Sequence, residues 1–386
     1  MTGSTLLTLI HSDTSSPLTV LHITQWYPTE KEPYAALWVK RHIDALRPHG
    51  KQIVWHVQTT NGSIANSYKV NTHGIVWRIS IPFSRWFLIE LITLFQLLWL
   101  GMFQHKILRS CDLVNFHIAY PSLTYWPLLK YWYPKKVVIT EHWSAYHFNF
   151  GVKKKLPRIQ RIFSNGIPII TVSQSLQNDI AKFSGHTIWG VVIPNVVDTN
   201  VFNFQNKLLP AYPVFFMVSL WKYPKDPLAV IAIFSNFLRE YPHAQLRIAG
   251  YGPLMEDMKE YIETHKLATH VHLLGSMTPS EIAGELNTST ALIHLSEYET
   301  FSVVCAEAVC CGCPVIASKV GGIPEFIDEF CGVLVQSKDE MLDAMNKLVK
   351  YPFNRMEIGS RARAKFESEL IGQNYFKTLL QITYEP

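Results

Sequence analysis

The chain has 386 residues, 48% of them hydrophobic and 17% charged, a balance that suits a globular protein with two cores and excludes a disordered one. Its net charge of +5 is unevenly divided: residues 1–200 hold 19 Lys+Arg against 9 Asp+Glu, and residues 201–386 hold 16 against 21. A basic half joined to an acidic half directs the basic one toward an anionic surface or substrate, and no recognition-module signature supports nucleic acid.

Residues 1–17 lack a basic n-region and a small-residue cleavage site, and read as a flexible tail. Leu18–Thr24 is the first predicted strand, followed by a helix around Ala35–Leu46. Gln52–Gln58, Gly74–Ile81, Asp112–His117, Val137–Thr140 and Ile167–Val172 are further predicted strands, with helices between several of them. Trp86–Phe103 is apolar and close to the lower limit for a membrane span, but Glu90, Thr93 and Gln96 recur every three residues along one side. That periodicity suits a helix packed in its domain; contact with a membrane interface and a true span are the other readings. Ile193–Pro194–Asn195 closes this unit, and Leu208–Pro213 reads as a linker.

A second alternation follows. Strands are predicted at Val214–Ser219, Gln245–Ala249, Val271–Leu274, Ala291–Leu295, Val315–Ala317 and Gly332–Val335. Helices are predicted at Pro227–Tyr241, Pro253–His265, Pro279–Asn287 and Ser302–Cys311, and from about Lys338 onward. Strands alternating with helices predict an α/β class with parallel, doubly wound sheets. Six cysteines, four of them within Cys305–Cys313, offer neither a disulfide framework nor zinc-ligand spacing. Buried free thiols in a reducing compartment are expected.

The most informative stretch is Glu299-Thr-Phe-Ser-Val-Val-Cys-Ala-Glu307, two carboxylates bracketing an apolar run. Glu307 sits between Ala306 and Ala308, where a carboxylate needs a protein partner or a polyhydroxylated ligand to hydrogen-bond it. With Cys311-Gly-Cys-Pro-Val-Ile-Ala317 and Gly321-Gly-Ile-Pro-Glu325 behind it, this stretch resembles the E-x7-E element of retaining glycosyltransferases of family 4. The resemblance implies the GT-B architecture, two Rossmann-like doubly wound domains facing a central cleft. It implies an acceptor-binding domain over 18–205 and a nucleotide-sugar-binding domain over 206–365, with a C-terminal helix in 366–386 returning to the first.

Local physics agrees with a donor site here. Ligands of open α/β sheets bind at the carboxyl ends of strands, and a helix starting near Ser302 offers backbone N–H groups to a diphosphate. By resemblance, Glu299 meets the transferred sugar's hydroxyls, Glu307 the ribose, and Phe301, Ser302 and Val303 the donor. The backbone near Gly275 meets the base. Lys225 falls at the family's diphosphate lysine, but Leu220 stands where the family has an arginine, and Lys222 is either the missing charge or a solvated loop lysine. Ile248-Ala-Gly250-Tyr-Gly252-Pro253-Leu resembles a tight turn of the family; Met255 at the third glycine position separates it from a dinucleotide fingerprint.

In the first half, His117 matches the histidine that lies near the reacting sugar in the family. His142, Glu141 and Tyr27 are candidates for the acceptor side; for the two histidines His117 and His142, each at a predicted strand end, a structural role is the competing reading. Ala36 stands where many relatives carry glycine. Lys153, Lys154, Lys155, Arg158 and Arg161 form a basic cluster suited to an anionic headgroup or a lipid-linked phosphate, or else a solvated helix face.

The expected activity is retaining transfer of a hexosyl unit, from a UDP- or GDP-linked sugar to a glycan or lipid-linked acceptor of the cell surface. No tightly bound cofactor and no metal are expected. A cytoplasmic protein in peripheral contact with the inner face of an anionic membrane is expected. Two alternatives stand beside it: another GT-B enzyme such as a nucleotide-sugar epimerase, and a non-catalytic nucleotide-sugar binding module, raised by Leu220.

Overall fold

The computed structural model describes residues 18–384 apart from 31, 61–64, 72–73, 83–88, 104, 132 and 134–135. The expected tail and the first three residues of the Trp86–Phe103 segment therefore lie outside the described residues. Contacts divide the chain into two units, one holding the residues up to Val196 and from Ser368 onward, the other Val197–Glu367.

The first unit contains β1 (Thr19–Thr24), α1 (Leu37–Leu46), β2 (Lys51–Thr60), β3 (Ala65–Asn71), β4 (Gly74–Pro82), α2 (Ile89–Phe103) and α3 (His105–Ser110). It continues with β5 (Leu113–His117), β6 (Lys136–Glu141), β7 (Ile169–Thr171), α4 (Gln174–Ser184) and β8 (Gly190–Val192). Its sheet runs β3-β4-β2-β1-β5-β6-β7-β8, parallel except for β3 against β4. Strand order reverses direction at β1/β5, so a crevice opens beyond the carboxyl ends of those two strands.

The central strands are buried along their length, and β5 (LVNFH) is buried throughout. Such a strand tolerates its polar residues only if they are hydrogen-bonded. Asn115 on β5 donates to the Tyr375 hydroxyl at 2.7 Å, which also meets Thr140 Oγ1 at 2.5 Å. Tyr375 belongs to the last helix (Ser368–Tyr384), whose Ile371 and Leu379 join Leu18, Ala45 and Val138 in the apolar core of this unit.

The second unit contains β9 (Val214–Leu220), α5 (Pro227–Phe237), β10 (Gln245–Tyr251), α6 (Met255–Thr264), β11 (Val271–Gly275), α7 (Pro279–Thr288) and β12 (Ala291–His294). It ends with α8 (Val303–Cys310), β13 (Val315–Ser318), β14 (Gly332–Val335), α9 (Glu340–Lys350) and α10 (Arg355–Phe366); the Ser368–Tyr384 helix of the first unit is α11. The sheet order β11-β10-β9-β12-β13-β14 is parallel throughout and reverses between β9 and β12. Helices cover both faces, which is why β9 reads as the unbroken apolar run Val214–Met217.

Two details differ from the sequence reading. The division falls at 196/197, whereas the expected boundary was 205/206, because the intervening strap bonds to the second unit. Val197 N–H donates to Phe366 O at 3.0 Å, and Gln205 N–H to Asn287 Oδ1 at 2.8 Å. β3 and β8 were not foreseen: Ala65–Asn71 has little apolar alternation, and Gly190–Val192 is a short edge strand.

Candidate functional site

In the second unit, the loops after β9 and β12 lie side by side at the strand-order reversal. Lys225 and Ser296 form an isolated antiparallel bridge, and Glu297 N–H donates to Pro224 O at 3.0 Å. Asp226 then starts α5 by accepting from Ala229 N–H at 3.0 Å, with Pro227 at the first helical position. This geometry carries Lys225 onto Glu299. The two form an ion pair, and Lys225 Nζ also reaches Ser296 Oγ at 3.4 Å. Glu299 Oε1 takes a second bond from His294 Nε2 at 2.6 Å, and Ser302 Oγ lies 3.3 Å from the same nitrogen.

His294 is missing from the sequence reading; its place at the end of the apolar β12 disguised it as a core residue. Burial, then the charge of Lys225, hold it well below its ordinary value. The neutral ring donates from Nε2, and its Nδ1 has no partner among the described residues. Burial also pushes the Lys225 ammonium down to about 8. Glu299 is anchored from its backbone: Gly322 N–H donates to its carbonyl at 3.0 Å. Gly321 has φ +53°, and a Cβ there would stand 1.7 Å from that oxygen, so glycine at 321 is required by the turn.

Ser302, at φ +70°, begins α8 without capping it by its side chain, which leaves the first N–H groups of the helix uncapped by any side chain. Glu307 lies in the second turn at 7% exposure. Val303 opens the helix. Phe301, expected on the donor, instead turns its ring into the core: it stacks on Phe326 at 4.9 Å and meets Phe366 edge-on. Gly275 ends β11 at φ +71° with open space around its Cα. Lys222 and Leu220 are exposed. Gly250 and Gly252 pack on backbone: added Cβ atoms would meet Ser219 O at 1.8 Å and Trp221 O at 2.4 Å. The Gly-x-Gly turn is thus a packing device, as the sequence suggested.

The first unit brings different residues to its own reversal point. His117 ends β5, and a cavity of about 1000 Å³ opens beside it, bordered by Trp26, Tyr120, Trp143 and Phe150. His22, His42, His117 and His142 are all buried, as neighbouring rings: His22–His117 and His42–His142 are 5.2 Å apart, His117–His142 6.0 Å. Burial drives His22 and His42 down to about 4, and burial followed by the other imidazoles holds His117 well below the ordinary value. The rings are therefore neutral, and their tautomers follow from the bonds. Gln52 Nε2 donates to Leu46 O, so its Oε1 accepts from His22 Nε2 at 2.8 Å. His22 Nδ1 must then accept from His117 Nε2 at 3.0 Å. His117 Nδ1 is left with a lone pair and, among the described residues, no partner.

The expected acceptor-side residues are placed differently. Glu141 is wholly buried, and its oxygens accept from Ala119, His142 and Trp143 N–H and from the Tyr146 hydroxyl, all within 2.8–3.0 Å. It staples two loops and has little capacity left for a substrate. Tyr27 packs with Val39, Ile43 and Val54, while its neighbours Gln25 and Trp26 border the cavity. His142 lies behind His117, stacked and buried. Ala36 takes φ +51° at the start of α1, the backbone shape that accounts for glycine elsewhere. Of the basic cluster, Lys154, Lys155 and Arg158 border the cavity.

Comparison with known proteins matches residues 20–201 to Glycosyltransferase Family 4 and residues 198–365 to Glycosyl transferases group 1. A phosphatidylinositol N-acetylglucosaminyltransferase component from Arabidopsis thaliana is 28% identical over 219 residues, 55% of this chain and 48% of that one. The chain thus spans between 23% and 48% of the length of the curated relatives it matches. Among solved structures, a sucrose-phosphate synthase from Thermosynechococcus elongatus aligns with TM-score 0.76 at 17% identity, over 95% of this chain and 99% of that one. HepE from Anabaena in complex with UDP aligns with TM-score 0.71 at 17% identity, over 94% and 100%. These likenesses share the GT-B fold.

Proposed function

Because the chain is a GT-B glycosyltransferase built from a family 4 and a group 1 domain, we propose that it transfers a hexosyl unit with retained configuration. The donor is a UDP- or GDP-linked sugar held by the second unit, and the acceptor a glycan or lipid-linked saccharide of the cell surface held by the first. One observation carries this reading: Lys225, Glu299 and His294 meet at the strand-order reversal, beside the uncapped start of α8.

The site's chemistry follows from charge. A diphosphate at the helix start meets free N–H groups and the positive end of the helix dipole. Lys225 turns from Glu299 to the leaving phosphate and stabilises the charge that grows there, the largest electrostatic contribution in this mechanism. Glu299, relieved of the lysine and still held by His294, accepts from the sugar's hydroxyls. Glu307 takes the ribose hydroxyls, the backbone at Gly275 the base, and Lys222 supplies the second cation that Leu220 does not. His117 Nδ1 accepts the hydrogen of the incoming hydroxyl. No side chain is assigned as a covalent nucleophile, so departure and attack share one face of the sugar. The reading calls for no metal and no tightly bound cofactor.

We place the protein at the inner face of the cell membrane. Support comes from α2, whose exposed side is apolar: Leu91, Phe95 and Met102 are 51%, 68% and 44% exposed, while Thr93 and Gln96 are buried with Leu97 and Leu100. Among the described residues no helix is long and apolar enough to cross a membrane. Incubation with labelled UDP- and GDP-sugars and a membrane or glycan acceptor tests the function. Label in a glycan or lipid supports it; a free epimer points to an epimerase, and binding without turnover to the binding module that Leu220 favours.

A further inference from the structure

The cavity beside His117 has walls unlike a saccharide site. Its volume, about 1000 Å³, is at the upper end for ligand pockets, and its lining is dominated by aromatic and aliphatic side chains, with few amides or carboxylates to meet sugar hydroxyls. Those walls are held at a conformational cost. Asn149, Phe150 and Gly151 are consecutive left-handed residues, at φ +46°, +56° and +71°, and Ile118 adds another at +72°. Left-handed backbone is unfavourable for residues with a Cβ, and most so for a β-branched one. Such strain gathers where a ligand is held. Here it turns the Phe150 ring edge-on against Tyr120 at 5.4 Å and Trp143 at 5.2 Å.

Charge is confined to the border. Lys154, Lys155 and Arg158 line the cavity and are exposed, and neither lysine has an ion-pair partner among the described residues. Glu90 is the lining carboxylate, with Arg158 3.7 Å from it; burial, then the charge of Glu90, push the Tyr120 hydroxyl up to about 12. An apolar interior with an unneutralised cationic border complements a molecule that is apolar at one end and anionic at the other.

We propose that this cavity binds the hydrocarbon chain of a long-chain phosphate, whose anionic group is held by Lys154 and Lys155, and that the acceptor is an amphiphile of this class. The second clause rests on the acceptor-side reading of the first unit; the first clause does not.

The test is a titration of the full chain, read by fluorescence of Trp26 and Trp143. Hexyl, octyl and decyl phosphate below their micelle concentrations, decyl glucoside, inorganic phosphate and maltotriose are the ligands. Affinity should rise roughly fourfold per added methylene. Decyl phosphate should bind at least roughly tenfold more tightly than decyl glucoside at low salt. The double variant Lys154→Glu/Lys155→Glu, altered only at exposed positions, should lose that preference and keep its affinity for the glucoside. Phe150→Gly suits the left-handed backbone and should weaken decyl phosphate by roughly tenfold, with thermal unfolding as the control for folding.

No chain-length dependence, maltotriose binding as tightly as decyl phosphate, or a charge preference that survives the double variant would each overturn the proposal. UDP and GDP binding are measured in parallel. Alkyl phosphate binding without binding of either nucleotide upholds the cavity assignment and removes the transferase reading. Binding of either nucleotide without chain-length dependence does the reverse.

Discussion

The two units use one architectural rule for opposite electrostatic ends. Each places its functional residues where strand order reverses, beyond β1 and β5 in the first unit and beyond β9 and β12 in the second. The second unit sets a cation and an anion against each other there, Lys225 and Glu299, with a neutral imidazole fixing the anion. The first unit buries four neutral imidazoles behind an apolar cavity and leaves its cations at the border. Topology decides where a ligand goes; the side chains decide which charge it meets.

Acid should break this comparison most strongly. His22 and His42 titrate near 4 in the folded chain against 6.5 for the free side chain, so between those values the unfolded chain binds more protons. Stability is therefore intact above pH 6.5 and falls as acid is added toward 4, by about 2 kcal/mol for each of the two at pH 5. Calorimetry from pH 7 to 5 should show the first unit's transition moving down well ahead of the second's. Two transitions that shift together would mean that the imidazoles are not buried neutral.

Next in size is Lys225→Ala, which should lower transfer by roughly a hundredfold to a thousandfold, about 3 kcal/mol of lost stabilisation on the departing phosphate. Alkyl phosphate binding by the first unit should not change, which a single-turnover assay and a parallel titration would check. Glu307→Ala should weaken the donor by about 1–3 kcal/mol, as read by calorimetric titration with a sugar nucleotide; unchanged affinity would remove the ribose contact. The smallest effect is alkaline. Because Lys225 sits at about 8, UDP affinity should decline as pH rises past that value. The decline should be at most about tenfold per pH unit, and Lys225→Arg should move it to higher pH.

The alternation of strands and helices was readable because parallel strands covered on both faces are continuous apolar runs, as in Val214–Met217. The paired glutamates were readable because they bracket an apolar run, and Lys225 because its position matches the lysine of the family that the chain resembles. What escaped were residues whose role depends on a partner distant in the chain. His22 and His42 look like ordinary members of an apolar strand and helix until Gln52 and Pro194 O supply their bonds. Glu141 looked available because nothing local shows that Ala119 and Tyr146 will saturate it. Phe301 was expected on the donor by resemblance, but Phe326 and Phe366 claim its ring.

The hydroxyl of Tyr375 closes a buried polar knot, accepting from Asn115 Nδ2 and meeting Thr140 Oγ1, which itself bonds Asn115 Oδ1 at 3.0 Å. Because that tyrosine follows the whole of the second unit in the chain, the first unit cannot reach its finished interior while the polypeptide is still emerging. The first unit is thus completed only after the second has been made, when the helix that carries Tyr375 adds its plug.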